Sequence, residues 1–174
     1  CSQILVDRYH VNGIINTGIA GSLRNEVNVG DIVLATDAVQ HDVDAAGFGY
    51  QPGEIQQMGI KEFPADDHLR AVAVSCCRRA NPDIQTFCGR VASGDQFINS
   101  REKKNWIRDT FDAYCTEMEG AAIAQAAYLN QVPYLIVRAI SDKADDSANV
   151  DYSEFEAKAV EHSVRLMAAM LEEL

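Results

Sequence analysis

Nowhere do the 174 residues approach the ~18 to 20 consecutive apolar positions that a membrane-spanning helix requires, and no charged-then-apolar segment opens the chain as a secretion signal. Basic charge is scarce as well. Fifteen Lys and Arg stand against 26 Asp and Glu, for a formal charge of −11 and a pI near 4.7. The longest basic cluster is Arg101, Lys103 and Lys104, too short a stripe to neutralise a phosphate backbone, so neither nucleic acid nor an anionic membrane is expected as a partner. A substrate with little negative charge is favoured instead. Five cysteines, an odd number with Cys76 and Cys77 adjacent and no C-x-x-C spacing, make neither a disulfide framework nor a zinc site. They read as buried free thiols. Histidines 10, 41, 68 and 162 are scattered, with His41-Asp42 the one pair of interest, so no metal and no cofactor are expected. The glycine-rich "NTGIAGS" lacks both the Lys of a P-loop and the spacing of G-x-G-x-x-G, which argues against nucleoside triphosphates and dinucleotides. Repeats, low-complexity tracts and linkers are absent too. The expectation is one cytoplasmic domain over residues 1–174. Because the chain opens on Cys1 and "SQILVDRYHVNG" reads as the tail of a helix, that domain is expected to lack an N-terminal segment.

What is present is an alternation of strand and helix patterns, the mark of a layered α/β domain. "VNGIINTG" is a short apolar run stopped by Gly18, and Asp31 to Val39 is a strand apolar enough to be buried on both faces. A long polar connection with several glycines follows, of a size usually reserved for function. "ADDHLRAVAVSCCRRAN" is a helix capped by Asp66 or Asp67, with Leu69, Val72, Ala73, Cys76 and Ala80 on one stripe. The run "IQTFCGRVASGDQFI" is a strand that breaks at Gly94. "REKKNWIRDTF" is a helix, "AYCTEM" a strand, "EGAAIAQAAYLNQ" a close-packing helix and "PYLIVRAISD" a buried strand. A final helix opens with the capping box Ser153-x-x-Glu156. Its apolar stripe is Ala157, Val160, Val164, Met167, Leu171 and Leu174, so replacing Val164 is expected to cost stability.

Polar clusters follow four of the strands: "NTGIAGS", "SGDQFI", "EMEG" and "AISDKADD". Ligand crevices of α/β sheets lie outside the carboxyl ends of strands, which makes these clusters the candidate site. Asp142 ends a buried strand. Its carboxyl either serves as a proton donor raised in pKa by desolvation or merely starts a loop. Arg138, inside the same apolar run, needs a carboxylate partner or a place lining the pocket. Glu117 and Glu119 project to one side of a strand. A carboxylate at position 119 either gains from the free N–H groups of the following helix or accepts hydrogen bonds from vicinal sugar hydroxyls. Phe97 is either a core residue or a platform for a planar ligand. The pattern leaves each of these alternatives open.

Taken together, "INTGIAGSL", "VGDIVLATDAVQHDVDAAGFGY", "FPADDHL", "GRVASGDQFI", "MEGAAIAQAAYLNQVPYLIVRAISDKAD" and "FEAKAV" resemble, across essentially the whole chain, the 5′-methylthioadenosine/S-adenosylhomocysteine nucleosidase family of the purine nucleoside phosphorylase superfamily. The resemblance implies a three-layer α/β/α fold with a central mixed β-sheet, like that of nucleoside phosphorylases. It implies hydrolysis of the N-glycosidic bond of a nucleoside, with release of adenine. Asp142 is then the acid at purine N7, Glu119 the ligand of the ribose hydroxyls, and Arg138 a contributor to the water site. Met118 packs beside the ribose, Phe97 stacks on the base, the Ile98 backbone reads its edge and Ser141 helps hold it. Glu117, Ala20, Gly21, Phe48 and Tyr152 complete the substrate-binding set. The family's water-activating glutamate belongs to an N-terminal strand region not contained in this sequence. Ile19 stands where some members have serine. A homodimer is implied, with the Gly47–Met58 loop reaching toward the neighbour's pocket. The rivals are a phosphorylase of the same superfamily, a futalosine hydrolase, and a non-catalytic purine-binding module.

Overall fold

Nine consecutive residues, Tyr134–Asp142, are buried without exception. A strand so covered needs helices or other strands on both faces, and the rest of the chain supplies them. The computed structural model describes residues 1–174 apart from Ser147 and the side chains of residues 149–154. The elements are α1 (Ser2–Tyr9), β1 (Ile14–Ser22), β2 (Ile32–Gln40), β3 (Phe63–Pro64), α2 (Asp67–Ala80), β4 (Thr86–Ser93), α3 (Arg101–Phe111), β5 (Cys115–Glu117), α4 (Gly120–Leu129), β6 (Tyr134–Asp142) and α5 (Ala148–Leu171). The sheet order is β3-β2-β4-β5-β1-β6, and β6 also pairs with β2, closing the sheet on itself. Pairing is mixed. β1 runs parallel to β6 and β2 and β4 parallel to one another, whereas β1–β5, β2–β6 and β2–β3 are antiparallel. Helices α2 and α5 pack on each other and on β6, while α4 covers β2, β3 and β4. The expected mixed α/β architecture is therefore the one observed.

Local chemistry explains most element ends. Asp66 caps α2 by accepting the Leu69 N–H at 2.8 Å, which settles the choice between the two aspartates. Strand β4 stops at Ser93, immediately before Gly94. A Cβ on Gly94 would stand 2.5 Å from the ring of His41, a fully buried histidine whose imidazole is pushed below its usual pKa by that burial. β1 corrects one expectation, because it does not stop at Gly18 but continues to Ser22. Its ladder with β6 runs unbroken through Gly18↔Arg138.

A second correction concerns α5. It begins at Ala148, five residues ahead of the expected cap, and the capping box falls partly on side chains outside the described residues. Its buried face is Ala159, His162, Ser163, Leu166 and Met170, whereas Ala157, Val160, Val164, Leu171 and Leu174 are exposed. Of the expected stripe only Met167 packs against the core, because alanine, histidine and serine share the inner face with Leu166 and Met170. The Asn81 side chain donates to the His162 carbonyl at 3.0 Å, the His162 ring meets the Gly30 carbonyl at 2.9 Å, and the Ser163 and Thr17 hydroxyls are 2.5 Å apart. Leu166→Ala should therefore lower stability by about 2–5 kcal/mol. Val164→Ala should stay within about 0.5 kcal/mol of the parent, and urea unfolding midpoints measure both.

Candidate active site

A cavity of about 710 Å³ lies along β1 from Asn16 to Gly21. Its position revises the idea of four loops meeting at one edge. Because β4 and β5 run against β1 and β6, their terminal residues point back alongside β1 rather than gathering beyond its end. Two positions of β6 mark its extent. Arg138 pairs with Gly18, and Asp142, beyond a register shift at Ala20/Gly21, pairs with Gly21. Four residues of strand separate them, roughly 13 Å. Both partners are glycine for steric reasons. A Cβ on Gly18 would strike the Arg138 guanidinium, and one on Gly21 would come within 2.7 Å of Asp142 Oδ1.

Asp142 is buried. It accepts hydrogen bonds from the Ser141 hydroxyl at 2.8 Å and the Ala144 N–H at 2.7 Å, so the carboxyl is held in one orientation. Ser141 also donates to the Ala20 carbonyl, fastening β6 to β1. Phe97, half-exposed, and Ile98, buried, line the cavity together with Ala20, Gly21 and Ser141. The loop carrying Phe97 is tied down by Asp42, whose Oδ2 accepts the Asp95 N–H at 2.8 Å.

At the other end, the two glutamates have divided the roles that sequence left open. Glu117 is the helix-start acid. Its carboxylate accepts the N–H of Gly120 at 2.8 and 3.0 Å and that of Glu119 at 3.2 Å, takes the Ser93 hydroxyl, and forms an ion pair with Arg138. Buried, with both oxygens engaged by these donors, Glu117 forms part of the cavity wall. Glu119 occupies the N-cap of α4, yet its side chain makes no cap hydrogen bond and is 63% exposed on the cavity wall, 3.5 Å from Arg138. Met118, also exposed, stands between them on the same wall. Arg138 has both carboxylates as partners and donates to Asn16 Oδ1 at 2.6 Å, satisfying the requirement its burial imposed.

Two expected residues are not brought here. Phe48 sits in a short 3₁₀ turn after β2, is 84% exposed and is not among the residues lining the cavity. Tyr152 lies outside the described residues. Ser93 and Asn16 were missed by the sequence reading. Both stand in the polar clusters, Ser93 opening "SGDQFI" and Asn16 opening "NTGIAGS", but their roles come from partners far along the chain, Glu117 and Arg138. Cys115 lies beside the site, but burial pushes its thiol far up, so it stays protonated and is no thiolate nucleophile. Among the described residues no three His, Cys, Asp or Glu side chains are grouped as metal ligands, and no helix is long and apolar enough to cross a membrane.

The mixed α/β fold and the sequence that builds it are shared with a known group of proteins. The chain belongs to the phosphorylase superfamily, whose family model matches residues 1–173. It is 40% identical over 174 residues to the 5′-methylthioadenosine/S-adenosylhomocysteine nucleosidase of Bacillus thuringiensis (strain Al Hakam), which covers 99% of this chain and 74% of that protein. Among solved structures it matches the nucleosidase of the same name from Neisseria meningitidis in complex with methylthio-immucillin-A, with a TM-score of 0.93 and 34% identity over 99% of this chain and 74% of that one. The native futalosine hydrolase of Helicobacter pylori strain 26695 matches with a TM-score of 0.93 and 32% identity over 99% and 73% of the two chains.

Proposed function

We propose that this chain hydrolyses the N-glycosidic bond of 5′-methylthioadenosine and S-adenosylhomocysteine, releasing adenine and the 5-thio-substituted ribose. The observation that carries the reading is one cavity, lined by Phe97 and Ile98, with a held carboxyl, Asp142, at one end and an open carboxylate, Glu119, at the other. As C1′–N9 breaks, its electron pair moves into the purine and positive charge develops on the sugar. Asp142 gives its proton to N7, so that adenine departs neutral. Glu119 accepts the ribose hydroxyls and faces the developing cation, an electrostatic contribution that grows toward the transition state. Arg138 fixes Glu117 and steadies Glu119 rather than reaching into the cavity alone. Met118 packs on the ribose, Phe97 stacks on adenine, and the Ile98 backbone and Ser141 hold its edge. A water oxygen bonds to C1′ and sheds a proton; none of the cavity residues above is assigned to that step.

Adenine release from methylthioadenosine in phosphate-free buffer tests the proposal. Turnover without phosphate supports hydrolysis, and a strict requirement for phosphate, with a sugar phosphate as product, assigns a phosphorylase instead. The futalosine hydrolase match supports a second substrate of the same chemistry, so futalosine belongs in the same assay. Glu119→Gln should lower kcat/KM while leaving the unfolding midpoint unchanged, because its side chain caps nothing and is largely exposed. An unaltered kcat/KM would remove it from the chemistry.

Residence in the cytoplasm and a homodimer are part of the same proposal. The exposed Phe48 supports the second of these, since an aromatic standing 84% in solvent on a loop suits a neighbour's surface. Light scattering at assay concentration gives the answer directly.

A further inference from the structure

Lys104 takes no part in the proposed reaction, yet it is only 6% exposed. A buried ammonium is unfavourable unless its charge and its N–H groups are satisfied. One short segment supplies partners for both. The Lys104 ammonium donates to the carbonyl oxygen of Lys143 at 2.5 Å and pairs with the Asp145 carboxylate at 3.3 Å. That segment follows Asp142 directly. Within it Ala144 has φ +51°, a left-handed conformation that is strained for a non-glycine residue and persists only where the surroundings hold it. In this turn the Ala144 N–H donates to Asp142 Oδ1 at 2.7 Å, one of the bonds that orient the carboxyl.

The other end of Lys104 is equally placed. It rides on the first turns of α3, whose N-cap Ser100 lies two residues after Ile98. One side chain therefore ties the element that continues from Phe97 and Ile98 to the turn that aims Asp142.

We propose that Lys104 is a positioning residue for the proton transfer, acting through the Lys143–Asp145 turn to hold Asp142 toward the departing base. This rests on the nucleosidase reading. A purine needs a proton in order to leave, whereas 4-nitrophenolate departs as a stable anion. Lys104→Met keeps an unbranched side chain, one atom shorter, and removes the charge and the donors. It is expected to lower kcat for methylthioadenosine about tenfold or more, with KM little changed, and to leave turnover of the 4-nitrophenyl 5-methylthioriboside within about twofold of the parent. Equal losses on both substrates, as a general structural role would produce, or no loss on either, overturn the proposal. Should Lys104→Met not fold, Lys104→Leu, likewise uncharged and without donors, carries the same comparison. Amide hydrogen exchange separates this inference from the reading beneath it. If the parent chain hydrolyses neither compound, the nucleosidase reading falls, but about tenfold faster exchange of the Ala144 amide in Lys104→Met still upholds the tether, and unchanged exchange removes it.

Discussion

Asp142→Asn is expected to lower adenine release by about 10²- to 10⁴-fold, the range a general acid contributes. The fold should survive the change. An amide at this position still accepts the Ala144 N–H through its oxygen, and its NH₂ can donate to a Ser141 hydroxyl rotated to accept. What it cannot do is protonate N7. Single-turnover rates with methylthioadenosine, beside a circular dichroism spectrum and unfolding midpoint matching the parent, make the measurement. A variant with the parental rate would show that adenine leaves without help from this carboxyl, and the assignment would fall.

The largest expected effect on stability lies at Glu117. Its side chain and that of Arg138 are each only 3% exposed, so removing one leaves the other charge buried without its main counterion. Breaking such a pair from one side is destabilising by about 3–5 kcal/mol. In Glu117→Ala the Gly120 and Glu119 N–H groups at the start of α4 also lose their acceptor. For a chain of this size that corresponds to a fall in Tm of about 6–20 °C. Glu117→Gln should do less harm, because an amide oxygen still accepts the helix N–H groups. Thermal unfolding of both variants, with and without Arg138→Met, reads the coupling between the two charges; additive effects would mean that the pair is not the stabilising unit.

How much of this was legible in the sequence depended on range. Element types were readable because their signals are local: the apolar run of β6, Asp66 ahead of α2, Gly94 after β4. The four polar clusters were equally visible, and the residues around Asp142 and Phe97 do face one cavity. Three things were not. Closure of β2 on β6 depends on a pairing between segments far apart in the chain, which no local pattern encodes. On the inner face of α5, His162 and Ser163 stand beside Ala159, Leu166 and Met170, and their place there depends on hydrogen bonds to Gly30, Thr17 and Asn81 rather than on hydrophobicity. The division of labour between Glu117 and Glu119 follows from the geometry at the junction of β5 and α4, where two nearly identical positions in sequence meet one buried arginine and one open wall.

That closure also sets an order of events during folding. Ile32 pairs with Ala139, more than a hundred positions later, a separation that makes loop closure slow compared with helix or hairpin formation. On a ribosome, β1 and β2 emerge long before the strand that joins them. Because Arg138 and Asp142 both arrive on that strand, the nascent chain has no complete binding surface until β6 has been made, and substrate can stabilise only a chain that already carries it.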